Sequence, residues 1–211
     1  MRAKFSGRVA GIFVATDPST FVTVQVSRVD VSMQGFREDI LHYGETTKSD
    51  SRLTFLYPKG TKIRNLRPVS LVSKDELDQI AIAMDIPEVR PEWVGANLAI
   101  EGIRNLTTLP IGLRLHFHRP GKEGKNGQIL EDDTILMVSG ENLPCPGPGE
   151  IIARKSGHPE AAAKFVKAAL HLRGITAWVE RPGYILHSDT MELVISPSLK
   201  FALEGREFFT Q

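Results

Sequence analysis

The stretch Phe21-Val22-Thr23-Val24-Gln25-Val26-Ser27-Arg28-Val29-Asp30-Val31 sets the reading of the rest of the chain. It is rich in β-branched residues and partly alternates apolar with polar, which predicts a strand over 21–31. Asp17-Pro18-Ser19-Thr20 just before it carries turn chemistry, and Lys4 to Val14 upstream is a second strand candidate. Further along, Leu98-Ala99-Ile100 and Ile135-Leu136-Met137-Val138 are short apolar runs, while Leu113, Leu115 and Phe117 alternate with Arg114 and His116 as in a half-buried strand. Ile175–Val179, Tyr184–Leu186 and Met191–Ile195 read as closing strands, and Gly121, Gly124, Asn126 and Gly127 mark a flexible turn.

Two helices interrupt this series. One starts at Ser73, placed to cap it, with Glu76 three residues on to complete a capping box and Val72 and Leu77 spaced as a hydrophobic staple. Leu77, Ile80, Ala81 and Met84 form its apolar face and Pro87 marks its exit; its expected role is structural. The other runs from about Pro159 to Arg173, buries Ala162, Phe165, Val166, Ala169 and Leu170, and ends at Gly174. Many short strands with two inserted helices predict one mostly β, barrel-like domain over residues 1–211, not a βαβ sheet.

Composition narrows the function. The chain has 211 residues, 41% hydrophobic and 24% charged, which is ordinary for a globular protein and enough for a sizeable core. A single cysteine excludes an internal disulfide and a Cys-rich metal site. A formal net charge of +1 without a dense Lys/Arg block argues against a nucleic-acid partner. No apolar run reaches the roughly 20 residues of a membrane span, and the first residues lack a signal-peptide core, so a cytoplasmic location is expected. GxSxG, GxGxxG and GxxxxGK[ST] motifs do not occur.

Cys145 is the most informative residue. It lies in Pro144-Cys145-Pro146-Gly147-Pro148-Gly149, where proline restricts the backbone and glycine allows close approach. A rigid loop of this kind holds a thiolate in place, with the N–H groups of Gly147 and Gly149 near an anion. A thiolate binds soft metals and carries extra sulfur as a persulfide; the competing role is an inert buried hydrophobe. The polar stretch 34–52 supplies Asp39, His42 and Arg52, as expected of a binding loop. Arg67 suits an anionic or phosphate-bearing ligand, and Asn97 offers an amide, against surface and turn roles for the two. His116 and His118 share one strand face and form a candidate metal pair, but no HExxH motif and no nearby acidic triad accompany them, which favours surface or satisfied-core histidines.

At these residues the chain resembles the MOSC family, named for the C-terminal domain of molybdenum-cofactor sulfurases. Four blocks carry the resemblance within about residues 30–195. Gln34 to Gly44 is similar to a G-x-x-G-D loop followed by histidine and glycine. Arg67-Pro68-Val69-Ser70-Leu71-Val72-Ser73 leads into the first helix. Gly95-Ala96-Asn97-Leu98, Glu101-Gly102 and Leu109-Pro110-Ile111-Gly112 resemble the G-E-N-L, G and L-x-x-G series, and Pro144-Cys145 matches the family cysteine. Arg173-Gly174, Gly183 and Asp189 resemble the closing pattern. Glu38, Ala96 and Ser188 stand where that pattern has glycine, glutamate and glycine.

The resemblance implies a MOSC-like β-barrel with a few inserted or flanking helices. It also implies a molybdenum–pterin cofactor, with Cys145 as metal ligand or sulfur carrier and Asp39, Arg67 and Asn97 lining the pocket. His42, Gly147 and Gly149 complete the candidate binding set. Three functions follow as alternatives. One is an oxidoreductase that reduces N-hydroxylated small molecules with help from an electron-donor reductase. The second is a persulfide carrier that serves cofactor or metal–sulfur cluster assembly, with a cysteine desulfurase as partner. The third is a non-catalytic structural or interaction barrel.

Overall fold

The computed structural model describes residues 5–44, 56–58, 61–122 and 128–195. Its strands are β1 (Ser6–Val14), β2 (Val24–Val26), β3 (Arg28–Ser32), β4 (Gly35–Phe36), β5 (Val69–Ser73), β6 (Leu98–Glu101), β7 (Arg114–His118), β8 (Thr134–Glu141), β9 (Ile175–Arg181), β10 (Gly183–Leu186) and β11 (Thr190–Val194). Its helices are α1 (Lys74–Met84), α2 (Pro146–Ser156) and α3 (Ala161–Ala168).

Hydrogen-bonded neighbours run β11-β7-β8-β9-β5-β6-β1, and a further β11–β1 pairing closes these seven strands into a barrel. Closure rests on Ser6↔Glu192, Gly7↔Met191 and Arg8↔Thr190. The strand pairs are antiparallel apart from β5–β6, whose parallel register (Leu71↔Leu98) requires the crossover supplied by α1. β3, β4 and β10 form a separate small sheet.

Period-two alternation builds two cores from the same strands. Val9, Ile12, Leu71, Leu98, Ile100, Leu115 and Phe117 point into the barrel and are at most 1% exposed, one contiguous interior cluster. Phe13, Val72 and Ala99 face the other way and meet Leu77, Ile80, Met84, Ile152 and Phe165 beneath the helices. Fully burying one such large side chain stabilises the fold by about 1.5–3 kcal/mol.

Several boundaries differ from the sequence reading. The predicted strand 21–31 breaks at Ser27: β2 pairs with β1, whereas β3 pairs with β10 and β4. The expected capping box does not form. Ser73 still belongs to β5 and makes no side-chain cap bond, and Glu76 turns instead to Thr107. Val72 and Leu77 do share one cluster. The predicted helix 159–173 is shorter, because the chain turns away through His171 (φ 62°) and Gly174 (φ 88°). A helix read as a loop, α2, starts inside the Pro-Gly run, with Pro146 at its first position and Gly157 (φ 76°) at its exit. Gly124, Asn126, Gly127, Arg52 and the far part of the 34–52 stretch lie outside the described residues. Among the described residues, no helix is long and apolar enough to cross a membrane.

Candidate functional site

The turn into β5, the turn into β6, the exit of β8 and the entry to β9 meet around one cavity of about 500 Å³. That volume is within the range of small-molecule sites, about 300–1,000 Å³. Its lining holds His42, Arg67, Asn97 and Cys145, four residues that are far apart in the chain. Arg64 and Arg173 add two further cations, and no carboxylate side chain is among the described lining residues. A concave site walled by arginines concentrates anions.

Cys145 is exposed, at the N-cap position of α2. Residues at a helix start leave their N–H groups unpaired. Here Pro146 and Pro148 occupy two of those positions without an N–H to satisfy, which lets the thiol-bearing turn form at low cost. An exposed cysteine beside a cavity lined by arginines is the opposite of a buried, inert one. Pro148 reaches the cavity, whereas the neighbouring glycines face elsewhere. A Cβ on Gly147 would meet the Phe21 ring at 3.3 Å. One on Gly149 would stand 2.8 Å from the Ala162 carbonyl oxygen and 2.9 Å from Phe165, so Gly149 is the close contact between α2 and α3.

Asp39 lies under the cavity floor, fully buried. Its carboxylate accepts the backbone N–H of Leu41 (3.0 Å) and of His42 (2.9 Å), and the Asn97 side-chain amide (2.6 Å). Burial pushes its carboxyl upward, but the His42 hydrogen bonds and charge, with Asn97, outweigh burial and hold it below the ordinary aspartate range. The carboxylate accepts only, so His42 Nδ1–H donates to it (3.0 Å), which leaves Nε2 as the imidazole nitrogen available to a ligand.

The expectation that Asn97 offers its amide to a ligand meets a different arrangement. Its Oδ1 accepts from Ser70 N–H (2.9 Å) and Ser70 Oγ (3.1 Å), and its Nδ2 donates to Asp39 and to the Phe13 carbonyl (3.3 Å). Asn97 therefore pins β5, β1 and the Asp39 loop together at the cavity wall. Arg67 reaches Asn142 Oδ1 (3.3 Å) and Thr176 Oγ1 (3.4 Å). Arg64 stacks over the Trp178 ring at 4.7 Å, and Arg173 donates to the Val94 carbonyl at 2.9 Å. Arg64, Asn142 and Thr176 carried no local signal of their own in the sequence, and Ser70 and Arg173 stood only within the family-like blocks. Among the departures from the family pattern, Glu38 is exposed, Ala96 is packed under the helices, and Ser188 has a positive φ (72°), the region that favours glycine.

Comparison with known proteins supports the family and the fold. The MOSC domain model matches residues 58–192. YuaD of Bacillus subtilis (strain 168), a candidate metal-sulfur cluster biosynthesis protein, is 36% identical over 194 residues, 92% of this chain and 93% of its own. The crystal structure of YuaD superposes with a TM-score of 0.80 at 35% identity, covering 93% of this chain and 100% of that one. YiiM from Geobacillus stearothermophilus, at 13% identity, shares the fold with a TM-score of 0.53 over 90% of this chain and 75% of its own.

Proposed function

Because the chain belongs to the MOSC domain family, we propose that it binds a molybdenum–pterin cofactor, with the Cys145 thiolate as the protein ligand to the metal. One observation carries this: the chain's single cysteine is exposed at the rim of a cavity of about 500 Å³ whose charged lining side chains are Arg64, Arg67 and Arg173. That donor set fits a phosphate-bearing group with a thiolate-seeking metal. Arg64 and Arg67 hold the anionic end. Arg173, anchored to Val94, is the fixed charge behind it. His42, aligned by Asp39, offers or accepts one hydrogen bond through Nε2. When bound, the metal supplies oxygen-atom transfer, which suits reduction of an N-hydroxylated small molecule fed by an electron-donor reductase.

The exposure of Cys145, together with the name of its relative YuaD, favours a second reading, a sulfur carrier. The Cys145 thiolate attacks the terminal sulfur of a desulfurase persulfide, and the donor cysteine leaves as thiolate. The outer sulfur is then released as sulfide to a cofactor or cluster under assembly, with two electrons from an external thiol reductant, and Cys145 returns to its thiolate.

The test is anaerobic purification from a host that makes the cofactor, followed by molybdenum and pterin analysis of wild type and Cys145→Ala. Molybdenum in wild type that falls to background in the variant supports cofactor binding. Equal, negligible occupancy in both overturns it. Cyanide-releasable sulfur, formed with a sulfur donor and lost in Cys145→Ala, supports the carrier instead.

A further inference from the structure

The face of β7 turned away from the barrel interior carries His116 and His118, read as surface or satisfied-core histidines, and both are buried, at 6% and 4% exposure. The β7–β11 register sets Glu192 directly opposite His116, with His118 one step along the same face. Neither histidine, nor Glu192, lines the Cys145 cavity. We infer that His116, His118 and Glu192 form a second site, which binds one divalent transition-metal ion, zinc most readily.

The hydrogen bonds decide which nitrogens are offered. His116 Nε2 lies 2.8 Å from Asp133 Oδ2. A carboxylate accepts only, so Nε2 carries the proton and Nδ1 presents a lone pair. His118 Nδ1 donates to the Arg119 carbonyl at 3.1 Å, so Nε2 presents the other. That Nε2 is buried and has no hydrogen-bond partner. Both lone pairs face Glu192 Oε2, at 3.8 Å from His116 Nδ1 and 4.0 Å from His118 Nε2.

These separations are too long for hydrogen bonds, and all three atoms lie within 4.8 Å of one another. A tetrahedral zinc ion bonded at about 2.0–2.2 Å spaces its donors roughly 3.4 Å apart, so the gaps must close by about 0.4–1.4 Å to complete the site. Two imidazoles and one carboxylate are an established zinc-binding set. Orientation of each imidazole by a carboxylate or carbonyl on its far nitrogen is the outer-shell support such sites use. Arg119, next to His118, is engaged by Asp189 (3.0 Å) and the Tyr184 ring (3.8 Å). An ion here would tie β7 to β11, the strand that closes the barrel.

The test strips the full chain with a chelator and titrates Zn²⁺ alone against a chromophoric competitor. One ion per chain is expected, unchanged in Cys145→Ala. Affinity should fall at least about a hundredfold in His118→Gln and Glu192→Gln, and about 10–100-fold in Asp133→Asn. Circular dichroism checks that each variant folds, and Glu192→Gln keeps the test decisive if His118→Gln does not. Zinc should raise the thermal midpoint of wild type but not of either ligand variant. Absence of stoichiometric binding, equal affinity in the ligand variants, or loss of binding in Cys145→Ala would overturn the assignment.

Discussion

Replacing Glu76 by glutamine isolates a charge that the fold disfavours. Glu76 sits on α1 at 1% exposure, and its carboxyl oxygens accept from Thr107 N–H (2.9 Å) and Thr107 Oγ1 (2.8 Å). Burial pushes its pKa up from 4.5 to about 7; the Thr107 hydrogen bonds oppose that rise, and Asp75 and Glu141 add to it. The unfolded chain releases this proton first, so the folded state holds more protons between the two values, and stability falls as pH rises through that window. At about 1.4 kcal/mol per pH unit, wild type loses about 3 kcal/mol between pH 4.5 and about 7 and then levels off. The Glu76→Gln side chain cannot ionise and is offset by about 1 kcal/mol at all pH values, since its one carbonyl oxygen serves one of the two Thr107 donors well. Urea denaturation of both proteins from pH 4.5 to 8 measures this, because other titrating groups cancel in the difference. A difference that stays flat within about 0.5 kcal/mol, or that favours wild type as pH rises, would refute the reasoning.

Three further substitutions probe the site's scaffold. Asp39→Asn should cost about 2–4 kcal/mol in denaturant unfolding, because the buried carboxylate serves several donors. Asp39 is held below its ordinary range, so its contribution is present above the unfolded value and is lost as pH falls through the folded one; the variant's acid limb should be flatter. Gly149→Ala should destabilise by about 1–3 kcal/mol, since the new methyl meets Ala162 backbone and Phe165, while Gly147→Ala, facing only the Phe21 ring, should stay within about 1 kcal/mol by thermal unfolding.

Much of the barrel was legible from the chain because its strands alternate or run apolar over short, turn-bounded lengths. Leu115 and Phe117 announce β7, and Leu98 and Ile100 announce β6. What was hidden depends on partners distant in sequence. Val24–Val26 and Arg28–Ser32 share one composition but join different sheets, a choice made by β1 and β10. Ser73 and Glu76 have capping-box spacing, yet Thr107 offers Glu76 a buried pair of donors. α2 was hidden because its proline- and glycine-rich start opposes helix propensity until α3 packs on Gly149. Cys145, Arg67 and His42 were singled out by residue type, and the structure brings them to one cavity. Arg64 and Thr176 join them only through folding. Glu192 was invisible beside His116 because strand register, not sequence distance, makes them neighbours.

The three-pair seam between β1 and β11 also bears on how the protein is made. β1 leaves the ribosome long before its closing partner, Thr190–Val194. Throughout synthesis the Ser6–Arg8 edge therefore waits unpaired, a template for strands of other nascent chains. Local pairings such as β1–β2 can form early, but the cylinder cannot close until β11 is out, and contacts of such sequence separation slow folding. Expression yield should thus respond more to chaperone supply and synthesis temperature than the stability of the finished barrel would suggest.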